Sequence, residues 1–305
     1  MTETPSPPLR TGIQEHLGPS LSFLGLPRGP EALENAEAVI VPAPYDGTTT
    51  YKSGTREGPR AIILASRELE LYDEETETEP YRRGIATLDE VAVTVASPRH
   101  MVERIRAVGR MLFEAGKLPV LLGGEHLLSL GMIQAAAESF DSLTVLHFDA
   151  HPDLRPEYQE SSFSNACVMH HIVDHVPLVQ VGIRSLTREE HRLIRERSIP
   201  AFFAHEIHDR EDLPQRVVET LSPHVYVTID LDVLDPSIMP AVGTPEPGGL
   251  GWYQLLRVLR AVSRKRRIVG FDVVELCPVP GMPAPDFLAA RLVHKLLAYI
   301  FLDRS

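Results

Sequence analysis

Four short, nearly uniformly apolar runs punctuate the chain: Leu118–Leu122, Leu143–Phe148, Val225–Ile229 and Ile268–Val274. They are brief, rich in branched residues and flanked by segments with helix-like patterning. Strands of a parallel sheet read this way when both faces are covered by helices. Met101–Ala115 carries apolar residues at helical spacing and ends at Gly116, a residue suited to a C-cap. Tyr253–Val262 is amphipathic, and Leu288–Phe301 reads as a further helix. The alternation predicts a doubly wound, three-layer α/β/α fold with a central, mostly parallel sheet.

What stands at the ends of these runs is more telling than the runs themselves. The second leads into Asp149-x-His151-x-Asp153, where a period of two in extended backbone sets three metal-binding side chains on one face. The third ends in Asp230-x-Asp232, followed by Asp235-Pro236, the first in Gly123-Gly124-Glu125-His126, and the fourth at Glu275. Taken alone, Asp149–Asp153 could be a turn rich in capping residues. Four runs delivering acidic or imidazole groups at the same end argue against coincidence, because open α/β sheets bind ligands outside the carboxyl ends of their strands.

His126, Asp149, His151, Asp153, Asp230 and Asp232 make six candidate ligands, too many for one catalytic ion with an open position. Four carboxylates balance two ions of charge +2, and an oxygen-dominated set without thiolate favours Mn²⁺ or a similar hard ion, with Zn²⁺ and Fe²⁺ as alternatives. Two such ions ~3.5–4 Å apart lower the pKa of a shared water, which implies hydrolysis.

Composition narrows the class. With 305 residues, 43% hydrophobic, the chain can bury a full core. Residues 1–20 read as a disordered tail without a secretory pattern, and 21–305 as one domain. No apolar stretch approaches the ~20 residues that span a bilayer. Cys167 and Cys277 make no disulfide framework, so a reducing cytoplasm is expected. The net charge of −12 argues against a nucleic-acid partner. The acidic run Asp73–Pro80 reads as a solvated loop, and Arg264–Arg267 as basic residues favoured at a helix C-terminus.

Taken together, Gly123-Gly-Glu-His126, Asp149-Ala-His-Pro-Asp153 and Asp230-Leu-Asp-Val-Leu-Asp-Pro236 resemble the motifs of the ureohydrolase family, the arginases, agmatinases and their relatives. Pro42–Gly47, Gly54–Pro59, Val181–Ser185, Gly243–Leu250 and Asp272–Glu275 fall in family order, so the resemblance covers roughly residues 38–300. It implies an arginase-like fold, a binuclear Mn²⁺ centre held by the six residues named, and a homo-trimer or homo-hexamer. It also implies hydrolysis of a small guanidino substrate to urea and an amine. Glu275 matches the guanidinium-binding carboxylate, and Asp153 both binds metal and accepts a hydrogen bond from the nucleophile. The overall wording is closest to agmatinases and aminopropylagmatine ureohydrolases, hence a decarboxylated, cationic substrate. Arginine, guanidinobutyrate, guanidine and formiminoglutamate remain alternatives.

The chain departs from the family at one catalytic position. Many relatives read Ser-His-Ala-Cys-Val-Met where this chain has Ser164-Asn165-Ala-Cys-Val-Met169. Asparagine orients but does not titrate, and general acid catalysis is worth ~10²–10⁴-fold. His170 and His171 sit off the stacked helical positions and read as surface or supporting groups. Arg155 stands where arginases commonly carry Asn, with Glu157 two residues on; the pair is expected to meet a carboxylate and an ammonium. Two rival readings exist. A one-zinc deacetylase-like amidohydrolase would leave His126, Asp153 and Asp232 surplus, and a weakly active metal-binding homologue is favoured only by Asn165.

Overall fold

The computed structural model describes residues 18–302. The expected N-terminal tail, residues 1–20, lies outside the described residues except for 18–20. Eight strands form one sheet: β1 (Ala38–Ala43), β2 (Ile85–Thr87), β3 (Leu118–Gly123), β4 (Leu143–Phe148), β5 (Leu178–Ile183), β6 (Ala201–Phe203), β7 (His224–Asp230) and β8 (Arg267–Val274). Their spatial order is β2-β1-β3-β8-β7-β4-β5-β6, and every pairing is parallel. The four runs legible in the sequence are the four central neighbours, β3, β8, β7 and β4. Central strands bury both faces and read as unbroken apolar runs; the three-residue edge strands β2 and β6 carry less of that signal.

Alternate residues of each strand feed two cores. In β1, Ala38 and Ile40 join the core beneath α2 (Gly58–Ser66), whereas Val39 and Val41 join the opposite one. The first core also takes in α7 (Leu213–Glu219), α8 (Trp252–Lys265) and α9 (Ala284–Leu302), and the second α3 (Pro98–Glu114), α4 (Leu127–Ser139) and α5 (Arg188–Glu196). Two small helices, α1 (Pro30–Asn35) and α6 (Ala204–Ile207), complete the set. The predicted three-layer α/β/α architecture is therefore the observed one.

Helix limits shift where polar ends hide them. The segment expected at Met101–Ala115 begins at Pro98, after Ser97 accepts a hydrogen bond from the His100 amide. Gly116 follows its end at φ +69°, the left-handed backbone that a C-cap glycine supplies. Arg266 caps the end of α8, its Nη1 donating to the Lys265 carbonyl at 2.9 Å, and it also reaches beyond that helix. Its guanidinium donates to the Val218 and Leu221 carbonyls at the end of α7, tying two helices together.

The acidic run corrects the sequence reading more sharply. Asp73–Pro80 is only in part a solvated loop: Glu74, Glu75 and Glu77 are exposed, but Asp73 is fully buried, and its backbone pairs with that of Thr78. Lys295 of α9, itself 5% exposed, places its ammonium 2.9 Å from carboxylate oxygens of Asp73 and Glu74 and 3.4 Å from Glu75. Charges taken from water need partners, and this acidic run is the partner of a buried lysine. Removing one member of a buried pair costs about 3–5 kcal/mol. Lys295→Met should therefore lower the thermal midpoint clearly, and adding Asp73→Asn should recover part of the loss. Calorimetry on the single and double variants checks both.

Candidate metal centre

Loops leaving four adjacent strands build the site. His126 follows β3, Asp149 follows β4, Asp230 ends β7 and Glu275 follows β8. The Gly123-Gly124 pair makes the first approach possible. A Cβ on Gly124 would sit 2.0 Å from the Tyr45 carbonyl oxygen, so only glycine fits there. The backbone is pinned in that position by Gly124 N to Ala43 O (3.0 Å), Glu125 N to Tyr45 O (2.9 Å) and Glu275 N to Gly124 O (2.8 Å).

All six predicted ligands meet. His126 Nδ1 lies 3.1 Å from Asp149 Oδ2, 3.0 Å from Asp153 Oδ2 and 3.5 Å from Asp230 Oδ2. His151 Nδ1 lies 3.0 Å from Asp232 Oδ2 and 3.3 Å from Asp149 Oδ1. Asp149 thus turns one oxygen to each histidine. Backbone amides hold the carboxylates: His151 N donates to Asp149 Oδ1 (2.6 Å), Ala150 N to Asp232 Oδ1 (2.9 Å) and Asp232 N to Asp230 Oδ1 (2.9 Å). Arg184, after β5, gathers the surrounding loops by donating to the carbonyls of Asp232 (2.6 Å), Glu246 (2.7 Å) and Gly182 (3.1 Å).

The donor set fits a cation, and the His126 tautomer shows why. Tyr226 Oη and Thr228 Oγ1 donate to the buried Asp272 carboxylate at 2.9 and 2.7 Å. With its one proton spent there, Thr228 Oγ1 accepts from His126 Nε2 at 2.9 Å. The other nitrogen, Nδ1, is buried and makes no hydrogen bond of acceptable direction. It presents a lone pair to three carboxylate oxygens, an arrangement that repels itself unless a proton or a metal cation enters. Among the described residues, two groups of side chains offer ligand atoms within 4.8 Å of one another: His126, His147, Asp149 and Asp153, and Asp149, His151 and Asp232.

Glu275, Arg155 and Asn165 line the same cavity of about 210 Å³ as His126, His151, Asp153 and Asp230. Glu275 Oε1 accepts from the His126 amide at 2.7 Å. Asn165 Oδ1 accepts from Ser164 Oγ and the Ala166 amide, both at 3.0 Å. Its own amide donates to Thr48 Oγ1, which Glu125 holds at 2.8 Å. Glu157 is exposed and is not among the cavity-lining residues. Its place is taken by Glu190, 4% exposed, whose carboxylate lies 3.8 Å from Arg155 Nε. Arg155 also stacks 4.7 Å from the Tyr158 ring centroid. His170 and His171 are half-buried and off the cavity, His171 bonding the Ser162 carbonyl.

The sequence reading passed over Glu190 and His147. Thr187-x-x-Glu190 is a capping box, which announces the start of α5 but not its nearness to the site. His147 stands two residues before Asp149, on the same face of β4 by the strand period already used for His151 and Asp153.

Comparison with known proteins agrees with this geometry. A family model described as the arginase family matches residues 36–298. The chain belongs to the arginase family. It is 42% identical to the N(1)-aminopropylagmatine ureohydrolase of Thermus thermophilus, covering 86% of this chain and 89% of that one. The Synechocystis protein of the same name is 38% identical over 87% and 89%. The crystal structure of the Thermoplasma volcanium agmatine ureohydrolase superposes with a TM-score of 0.85 at 26% identity, covering 96% and 98%. As an arginase-family member with ureohydrolase relatives along most of its length, the chain is an enzyme of the hydrolase class, acting on C–N bonds of linear amidines.

Burial and mutual repulsion bind protons to Asp153, Asp230 and Glu275 when no cation is present, whereas hydrogen bonds from the neighbouring histidines hold Asp149 well below the carboxylate range. Burial, with Asp149 beside it, pushes the Asp153 carboxyl up to about 7. Burial pushes Glu275 up to about 8, and raises Asp230 well above the carboxylate range with help from Asp232 and Asp149. A folded-state carboxyl pKa above the unfolded value means that the native state binds more protons than the unfolded chain. Stability then falls as pH rises between the ordinary carboxylate range and about 8. The metal-stripped protein should lose thermal stability between pH 5.5 and 8.5, and added Mn²⁺ should raise its midpoint more at the higher pH. Scanning calorimetry with and without metal checks both signs.

Proposed function

We propose that this protein hydrolyses a decarboxylated, cationic guanidine, agmatine or its aminopropyl derivative, to urea and an amine of the polyamine type. The carrying observation is one cavity bordered both by the His/Asp cluster and by Glu275. His126, Asp149, Asp153 and Asp230 would hold one divalent ion, and Asp149, His151, Asp230 and Asp232 a second. Mn²⁺ suits this oxygen-rich, thiolate-free set. When bound, such ions would lower the pKa of a bound water and so supply the nucleophile at neutral pH.

The chain's own groups do the rest. Glu275 binds the guanidinium by a charge-assisted pair and turns its carbon toward the cluster. Its position is fixed by the His126 amide and by a left-handed backbone, φ +66°. Asp153 accepts the nucleophile's hydrogen bond and orients its lone pair. A C–O bond forms, the bond from carbon to the substituted nitrogen breaks, and the departing amine takes up a proton. Arg155 is already engaged by Glu190 and Tyr158, so it is not a free cation awaiting an α-carboxylate. That supports a substrate without one, as do the names of the relatives. The enzyme is assigned to the cytoplasm, in keeping with two buried free cysteines, and to a homo-trimer or homo-hexamer.

Urea release with Mn²⁺ over agmatine, aminopropylagmatine and arginine tests the reading. Either cationic compound should exceed arginine by at least tenfold in kcat/KM, and a preference for arginine would overturn the substrate class. Glu275→Gln should keep the metal content and lose roughly ten- to hundredfold in kcat/KM, the worth of a charge-assisted bond of ~1.5–3 kcal/mol. Unchanged kcat/KM would remove Glu275 from substrate binding.

Asn165 bears on the last step. An amide cannot deliver a proton, so solvent protonates the departing amine. Asn165→His should raise kcat on the cationic substrates about tenfold and introduce a titration near ~6.5 in the pH profile. Loss of activity instead would mark Asn165 as a group adapted to hydrogen-bond its own substrate.

A further inference from the structure

His147 lies beneath the cluster, fully buried on β4, and nothing so far uses it. Its Nε2 is 2.8 Å from Asp149 Oδ2, the oxygen that faces His126. Its Nδ1 is 3.0 Å from Gln180 Nε2, on the neighbouring strand β5. The same amide nitrogen donates to the Pro152 carbonyl at 2.8 Å. Pro152 sits between His151 and Asp153, so Gln180 touches the backbone that carries both.

These contacts fix every proton. The Pro152 carbonyl only accepts, so Gln180 must turn its NH₂ that way; a flipped amide would set oxygen against oxygen. The second N–H of that NH₂ then points at His147 Nδ1, which must be the unprotonated nitrogen. The ring proton therefore resides on Nε2 and is donated to Asp149 Oδ2. A nitrogen that carries a proton has no lone pair for a metal. His147 is thus excluded as a ligand despite lying within ligand range of the cluster.

We propose that His147 is a positioning residue: its Nε2–H, locked by Gln180, fixes Asp149 so that Oδ2 serves the His126 side and Oδ1 the His151 side. Without it, Asp149 is held only through Oδ1, by the His151 amide, and Oδ2 is free to swing out of line with His126. The Asp149 carboxylate is shared by both sides, one oxygen to each histidine, so its torsion bears on the spacing of the pair. Groups that orient ligands in this way are commonly worth ~10–100-fold in metal affinity.

The inference rests on the metal reading above, and titration of purified, metal-stripped protein with Mn²⁺ alone separates the two. Wild type should bind two equivalents. His147→Gln keeps an N–H near the Nε2 position and should stay within about threefold of wild type, whereas His147→Asn, too short to reach Asp149, should bind its weaker ion ~10–100-fold less tightly. His147→Phe, which keeps the ring volume, should match the Asn variant. Thermal midpoints of the metal-stripped proteins show whether each variant is folded, and the Gln/Asn comparison stands even if Phe is not. Equal affinity in the Gln and Asn variants would overturn the hydrogen-bonding role while leaving the metal centre intact. Failure of wild type to bind Mn²⁺ would overturn both.

Discussion

Four aspartates pressed around one point, nearly out of reach of water, form the constraint on which the rest of the molecule depends. Ligand atoms of Asp149 lie within 4.8 Å of those of Asp153 on one side and of Asp232 on the other, and like charges that close in a poorly screened interior repel strongly. Such an arrangement persists only if the scaffold is stiff and a cation is near. The scaffold's answer is to make the rim of four adjacent parallel strands carry the load. Backbone amides hold the carboxylates from below, Arg184 clamps the loops from the side, and Thr228 with Asp272 turns His126 so that its lone pair faces inward. Asp153 and Glu275 have left-handed backbones, φ +51° and +66°, a strain of ~1–3 kcal/mol each that packing must offset.

Much of this was legible beforehand because strand geometry is simple. A period of two, an apolar run and an acidic end suffice to place Asp149, His151 and Asp153 on one face, and the four richest runs became the four central strands. Pairing across the sheet carries no such local signal. Nothing near Glu190 in the sequence says that it will border the cavity, and nothing near Glu157 says that it will not. The acidic run misled for the same reason. Its partner, Lys295, stands 222 residues beyond Asp73, and charge patterning sees only neighbours. His147 was visible to the strand period and was missed because it sits inside an apolar run.

The cavity wall divides its labour by depth. Near the cluster, the polar groups are fixed by backbone and by one another. Farther out, Arg155, Tyr158 and Glu190 neutralise and stack on each other. On the proposed reading, discrimination among guanidines would fall to that outer wall and to Asn165, whose carbonyl oxygen is already occupied by its neighbours.

The sheet order carries a further consequence for how the molecule is made. β8 is the last strand in the chain, yet it sits between β3 and β7, with no direct pairing to join the two flanking halves. Before β8 is in place, β2-β1-β3 and β7-β4-β5-β6 share no strand pairing, and each has an inner edge of unpaired backbone. His126 belongs to the first unit and the aspartates to the second, so the cluster does not exist until β8 slots between them. Assembly of the centre thus waits on the last strand of the sheet rather than on an early pairing. Until then both open edges offer a template for mispairing, the hazard that makes such late-closing sheets lean on chaperones.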